Sequence, residues 1–315
     1  MSRIIIPINP PQKINLWEKQ TKGFLIFATG NPYYSFMAIK LAVSMKFHEP
    51  ETKILLVTEG EANNWAVKKY AYLFDKIIEC PKEYLYVGDV RTDTKAKCFE
   101  DMLSPYDETI VIDADSIWLA KKKPSELFEK FKNIDFFQYS RNITDMSQED
   151  VDTNSGSFWA KLSDIKKAFN IHSGYYYNCA GEFRYFKKSV ATAQIYYHVC
   201  DIINNPRIEV IEFLGSKFNE ELSFNIAITL SGYEMPFTDF KPTHWFGNDG
   251  APNNKNYIDI SNDYYILSVG GNFSIPATRQ AYEMLASAYL GRFGITDIPA
   301  KLTDKRVAVP TRKTI

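Results

Sequence analysis

Between Phe24 and Asp115 the chain alternates short apolar runs with helical patterns, and this alternation restricts its fold more than any other feature. Phe24 to Ala28 is an apolar run closed by the turn residues Thr29-Gly30-Asn31-Pro32, and residues 34–47 then follow a helical pattern. A second strand is expected at 53–58, a second helix at 63–74 and a third strand at 76–79. A helix over 95–103 precedes the fourth strand at 109–112. Repeated strand–helix units predict an α/β fold with a mainly parallel, doubly wound central sheet. Such sheets take their ligands beyond the carboxyl ends of the strands. Asp113-Ala114-Asp115 leaves the fourth strand at one of those ends.

Two carboxylates one residue apart, at the end of a buried strand, offer hard oxygen ligands to the crevice beyond the sheet. That chemistry suits Mg²⁺ or Mn²⁺, which leave coordination positions for a substrate diphosphate. Such an ion neutralises charge on a departing nucleotide diphosphate. A lone D-x-D triplet is a weak signal, and its place after the fourth strand is what gives it weight.

Composition excludes several classes. The hydrophobic fraction is 45%, the charged fraction 24% and the net charge −1, so no global basic field points to nucleic acid. Local basic runs remain at 121–123, at Arg184 with Lys187 and Lys188, and from Lys301 to Lys313. The four cysteines lack any C-x-x-C spacing and the four histidines are scattered, which argues against a zinc site or a disulfide framework. Ile4-Ile5-Ile6 is too short for a signal peptide or a membrane span, and no later run is long enough to be one. A soluble protein without an anchor, in a reducing cytoplasm, is the expectation.

The second half is less regular, with helices expected at 161–169, 188–203 and 221–230 and loop-like stretches at 247–256 and 270–276. With no repeat and no evident linker, residues 1–315 read as one domain. Its halves divide at about residue 150, 23–150 holding the aspartate pair and 151–315 following it.

The first 120 residues resemble the glycogenin-like, family-eight glycosyltransferases of the GT-A fold. The resemblance rests on Thr29-Gly30-Asn31-Pro32-Tyr33-Tyr34, on Thr94-Lys95-Ala96-Lys97-Cys98-Phe99 and on Asp113-Ala114-Asp115. It implies that Thr29, Asn31 and Tyr34 hold the base. Lys95 approaches the nucleotide sugar, and Asp113, Ala114 and Asp115 clamp metal and diphosphate. The resemblance also implies that 23–150 is a nucleotide-sugar-binding half and 151–315 an acceptor-binding half. Downstream, Tyr175-Tyr176-Tyr177-Asn178-Cys179-Ala180-Gly181 resembles the family's aromatic-Asn-x-Gly strand, with one residue more between Asn178 and Gly181. A bulge would accommodate that residue; otherwise Asn178 is not the sugar contact. Glu220 and Glu221 fall where the family has an Asp-Gln pair near the reacting carbon, and they equally suit a helix's first turn. The family's third metal ligand is a late His. Ser268 stands in its place and His244 is the other candidate, with water as a third possibility.

The function implied is transfer of a sugar, with retention, from a nucleotide diphosphate sugar such as a UDP-sugar to an acceptor hydroxyl. A glycan, a protein Tyr and, for a virus-encoded enzyme, a hydroxymethylated DNA base in the host cytoplasm are the acceptors considered. A nucleotidyltransferase is disfavoured by the single glycine after the first strand. A non-catalytic nucleotide-sugar-binding module is disfavoured by the intact aspartate pair. Trp245, Phe246 and Tyr175–Tyr177 are candidate acceptor platforms that would serve equally well in a core.

Overall fold

The computed structural model describes residues 21–60, 63–87, 90–92, 94–152, 159–205, 219–236, 239–246, 257–270 and 275–299. The basic tail from Lys301 and the loop 247–256 lie outside them. The apolar run after Thr21 forms β1 (Lys22–Ala28), followed by α1 (Tyr33–His48), β2 (Ile54–Thr58) and α2 (Trp65–Lys69). Then come β3 (Lys76–Glu79), the short strands β4 (Tyr86–Val87) and β5 (Val90–Arg91), and α3 (Glu100–Leu103). β6 (Glu108–Asp113) and β7 (Ser116–Trp118) flank the Asp113-Ala114-Asp115 turn. Beyond it lie β8 (Phe136–Asp145), α4 (Leu162–Phe169), β9 (Tyr175–Lys187), α5 (Val190–Asn204) and α6 (Glu220–Ser231). The chain continues through β10 (Thr243–Trp245), α7 (Tyr257–Asp263), β11 (Ile266–Ser268) and α8 (Pro276–Arg292).

Six strands form the central sheet in the order β3-β2-β1-β6-β9-β8. The first four are mutually parallel, whereas β9 pairs antiparallel with both β6 and β8. The first-half expectation of a parallel, doubly wound sheet therefore holds, and two long strands extend the same sheet, β9 running opposite to the others and the edge strand β8 running with them. Alternation along β1 explains the two-sided core. Phe24, Ile26 and Ala28 pack on one face with α1 and α8, while Leu25 and Phe27 pack on the other with α5 and α6. α1 lies between the sheet and α8, so its residues from Ser35 to Met45 are all buried and it has no polar face.

Two helices differ from the sequence expectation. Tyr70 leaves helical geometry (φ −105°, ψ 22°), so the helix expected at 63–74 is α2 plus a single 3₁₀ turn at Ala71–Leu73. The stretch 95–103 is a 3₁₀ segment, Lys95–Phe99, which passes into α3 at Phe99 (φ −118°, ψ 19°). Tighter 3₁₀ winding changes which side chains share a face, with consequences for the lysines there.

β9 carries a bulge in the stretch that contains Gly181. Between the pairs Gln138↔Arg184 and Ser140↔Cys179, β8 advances two residues while β9 advances five. Gly181 lies inside this irregularity, where a Cβ would come within 2.9 Å of Glu221 Cγ. Small size there allows β9 to meet the first turn of α6.

Candidate active site

Sheet order places the site. The chain moves outward from β1 to β2 and β3, then returns to lay β6 on the other side of β1. The carboxyl ends of β1 and β6 thus flank a topological switch point, where crevices open in sheets of this kind. Phe27 is paired with Asp113, which brings the Thr29–Asn31 turn beside the aspartates. Thr29 is buried, whereas Asn31 and Tyr34 are exposed at the mouth, Tyr34 by 39%. Asn31 Oδ1 accepts from Tyr33 N at 2.9 Å, which fixes the entry into α1. The buried Lys40–Glu283 pair (2.7 Å), with the Tyr33 hydroxyl donating to Glu283, pins this end of α1 to α8.

Asp113 is partly open to solvent, and Ala114 is buried in the core. The Asp115 main chain is anchored by Val269 N, which donates to Asp115 O at 3.1 Å. Asp115 Oδ1 is shut off from solvent and has no hydrogen-bond partner among the described residues. Burial first, then the charges of Asp113 and Glu182, push the Asp115 carboxyl well above the usual range, against a smaller pull from Lys97. An orphaned carboxylate oxygen beside two further acids is a donor set short of a cation, so the residues fit a divalent ion. Among the described residues no three Asp, Glu, His or Cys side chains are gathered to hold a metal by themselves. Oxygens from a bound diphosphate would have to complete such a shell.

His244 is not gathered with the aspartates. It lies on β10, paired with Leu267, and its ring packs on Tyr264 at 4.8 Å. Ser268 comes nearer, opposite Ser116 in the β11–β7 pair, with its Oγ accepting from Gly270 N at 3.1 Å.

Lys97, rather than Lys95, meets the acids. Its Nζ lies 2.7 Å from Asp113 Oδ1 and 3.1 Å from Glu220 Oε1. Burial works against the ammonium, but Asp113 and Glu220 outweigh it and hold Lys97 firmly protonated. Lys95 Nζ instead donates to the carbonyls of Glu83 (2.7 Å) and Tyr86, staples the 82–86 segment, and is lowered by burial.

Asn219 caps α6, its Oδ1 accepting from Glu221 N at 2.7 Å, and so delivers Glu220 and Glu221 at the helix start. Glu221 is held by Gly181 N (2.9 Å) and Trp159 Nε1 (2.8 Å). Its burial, then Glu220 and Glu182, push its carboxyl up to about 7. Asn178 is buried on β9 beside the bulge, and the next residue's N–H donates to Asn225 Oδ1 at 3.1 Å. Sequence reading missed Lys97, Arg141, Trp159 and Glu182. Only the repeated lysine in Thr-Lys-Ala-Lys hinted at one of them.

One other sequence candidate changes place. Arg184 belongs to no surface basic patch: it is fully buried, with Nη1 2.8 Å from both oxygens of Glu100 and its guanidinium 3.6 Å from the Phe224 ring centroid. Phe246, Tyr176 and Tyr177 are core residues, whereas Trp245 is half-buried at the crevice.

No family model and no curated protein matches the chain. Among solved structures it is similar to the apo structure of the bifunctional glycosyltransferase WbbM, with TM-score 0.55 and 11% identity over 91% of this chain and 52% of that one. A complex of the galactosyltransferase LgtC with donor and acceptor sugar analogues gives 0.47 and 11%, over 84% and 95%. The glycosyltransferase GlyE of Streptococcus pneumoniae TIGR4 gives 0.47 and 16%, over 90% and 66%. The chain spans about half the length of WbbM. Its fold is the GT-A fold.

Proposed function

We propose that the chain is a glycosyltransferase that moves a sugar from a nucleoside diphosphate sugar to an acceptor hydroxyl, with Asp113 and Asp115 as its cation and diphosphate clamp. The observation that carries this reading is the orphaned Asp115 Oδ1 beside Asp113 at the switch point of the sheet. A divalent cation bound there, Mn²⁺ or Mg²⁺, would supply a Lewis acid to the leaving diphosphate.

The protein's own groups account for the remaining steps. Tyr34 and Asn31 stand exposed at the mouth, where a base can stack and hydrogen bond, and Thr29 lines the turn beneath them. Lys97 is the cation closest to the clamp and takes the donor role that sequence resemblance gave to Lys95, offering its ammonium to a diphosphate oxygen or a sugar hydroxyl. Glu220, tied to the clamp through Lys97, supplies negative charge that would stabilise an oxocarbenium-like centre, and Glu221 stands next to it at the start of α6. Asn178, on β9 three residues before the Gly181 that meets Glu221, is the candidate sugar contact. With a retaining course, the acceptor hydroxyl attacks on the leaving-group side.

The test is a panel of nucleoside diphosphate sugars, UDP-glucose first, incubated with Mn²⁺ and analysed by mass. Release of sugar and nucleoside diphosphate is the expected result. Pyrophosphate chemistry would replace this reading with a nucleotidyltransferase. Binding without turnover across the panel would leave a nucleotide-sugar-binding module.

A further inference from the structure

Glu182 adds its charge to that of the aspartates, but no contact ties it to Asp113 or Asp115, and its carboxyl is held instead by groups on the wall of the same crevice. The β6–β9 pairing ends at Ile112↔Phe183, and one further step of that antiparallel register sets Glu182 beside Asp113 on the same face of the sheet. The residue is 8% exposed. Its Oε1 accepts from Trp245 Nε1 at 2.9 Å and lies 3.8 Å from Arg141 Nη2. Its Oε2 is shut off from solvent and has no hydrogen-bond partner among the described residues. Leaving such an oxygen unsatisfied is costly, and a ligand hydroxyl would satisfy it.

The surroundings suit a sugar. The half-buried Trp245 ring is tilted against Tyr139 at 6.3 Å and has Lys241 Nζ 4.6 Å from its centroid. Gly270, at φ +55°, leaves them room: a Cβ there would meet Trp245 Cδ1 at 3.2 Å and Glu182 Oε1 at 3.7 Å. An aromatic face beside a carboxylate and a guanidinium matches the apolar ring face and the hydroxyls of a carbohydrate. A phosphodiester backbone is a poor fit. Among the described residues the crevice sets five carboxylates, Asp113, Asp115, Glu182, Glu220 and Glu221, against the three cations Lys97, Arg141 and Lys241.

We infer that Glu182, positioned by Trp245 and Arg141, is the acceptor-binding residue of a carbohydrate-specific subsite, and that its Oε2 accepts a hydrogen bond from the acceptor hydroxyl. This rests on the donor-site reading above. The acceptor oxygen forms the bond to the anomeric carbon as the bond from that carbon to the diphosphate oxygen breaks. The electron pair leaves on the nucleoside diphosphate, which also takes the acceptor proton. Glu182 orients the hydroxyl and is unchanged at the end.

The experiment uses the full chain with Mn²⁺ and UDP-hexoses, and offers free mono- and disaccharides, a tyrosyl peptide or duplex DNA carrying hydroxymethylcytosine as acceptors. Transfer and acceptor-free donor hydrolysis are measured on the same samples of wild type, Glu182→Gln and Trp245→Phe, with Mn²⁺·UDP binding as the check on folding. Transfer to a saccharide by the wild type is expected. In Glu182→Gln, transfer relative to hydrolysis should fall at least roughly tenfold, through the acceptor KM, with a smaller fall in Trp245→Phe. An unchanged ratio in Glu182→Gln overturns the subsite, as does transfer to DNA or tyrosine in preference to every saccharide. A wild type that neither binds Mn²⁺·UDP nor releases sugar overturns the donor reading itself, and the subsite with it.

Discussion

Lys97 Nζ touches Asp113 Oδ1 at 2.7 Å and Glu220 Oε1 at 3.1 Å, so one ammonium ties the end of β6 to the start of α6. These two elements come from opposite halves of the chain, and the contact joins the donor clamp to the acids beyond it. Lys97→Ala should therefore cost at least roughly tenfold in kcat/KM for the donor, because a charge-assisted contact to diphosphate or sugar is lost. Lys95→Ala should stay within about threefold, because Lys95 is engaged with the Glu83 and Tyr86 carbonyls. Steady-state kinetics on the two variants decide the matter, and the reverse order would return the donor role to Lys95.

Asp113, Asp115 and the first three strands were legible in the sequence because each depends on local pattern: an apolar run, a turn and an adjacent helix. Which lysine of Thr94-Lys95-Ala96-Lys97 faces the crevice was not, because two residues along a 3₁₀ segment point to different sides. β9 was equally hard to read as a central strand. It is buried on both faces through most of its 13 residues, and polar Asn178, Glu182 and Arg184 break its apolar pattern. Two of them are engaged by partners far away in sequence, Arg184 by Glu100 and one oxygen of Glu182 by Trp245 and Arg141.

Arg184 and Glu100 are both 0% exposed in their side chains, with Gln138 and Tyr196 completing the network. Arg184→Ala strands a buried carboxylate and should destabilise the protein by about 3–5 kcal/mol. Replacing both partners with apolar residues of similar volume should recover much of that loss. Chemical denaturation of the single and double variants measures it, and a double variant as unstable as Arg184→Ala would contradict it.

Glu221 predicts a pH dependence of stability. Its folded carboxyl is raised to about 7 from an ordinary 4.5, so between those values the folded protein holds the proton more tightly than the unfolded chain. The contribution is fully present below about 4.5 and is lost as pH rises through about 7. At most about 3 kcal/mol is involved. Relative to wild type in EDTA, Glu221→Gln should gain stability between pH 5 and pH 8. An equal difference between the two proteins at both pH values would refute the assignment.

Tyr34 gives a prediction confined to the donor. It is exposed at the start of α1 beside Asn31, so Tyr34→Ala should weaken UDP binding by roughly fivefold to tenfold, from the loss of one base–aromatic contact. Titration calorimetry with UDP reads this directly, and an unchanged Kd would move the base elsewhere.

The central claim is that Asp113 and Asp115 form a cation-dependent donor clamp. Its most direct test is Mn²⁺-dependent release of UDP from UDP-sugars by wild type and by Asp115→Ala. The wild type should release UDP and lose that activity in EDTA, while Asp115→Ala should remain folded and show no metal-dependent release. Wild-type-like, metal-dependent turnover in Asp115→Ala would contradict the claim.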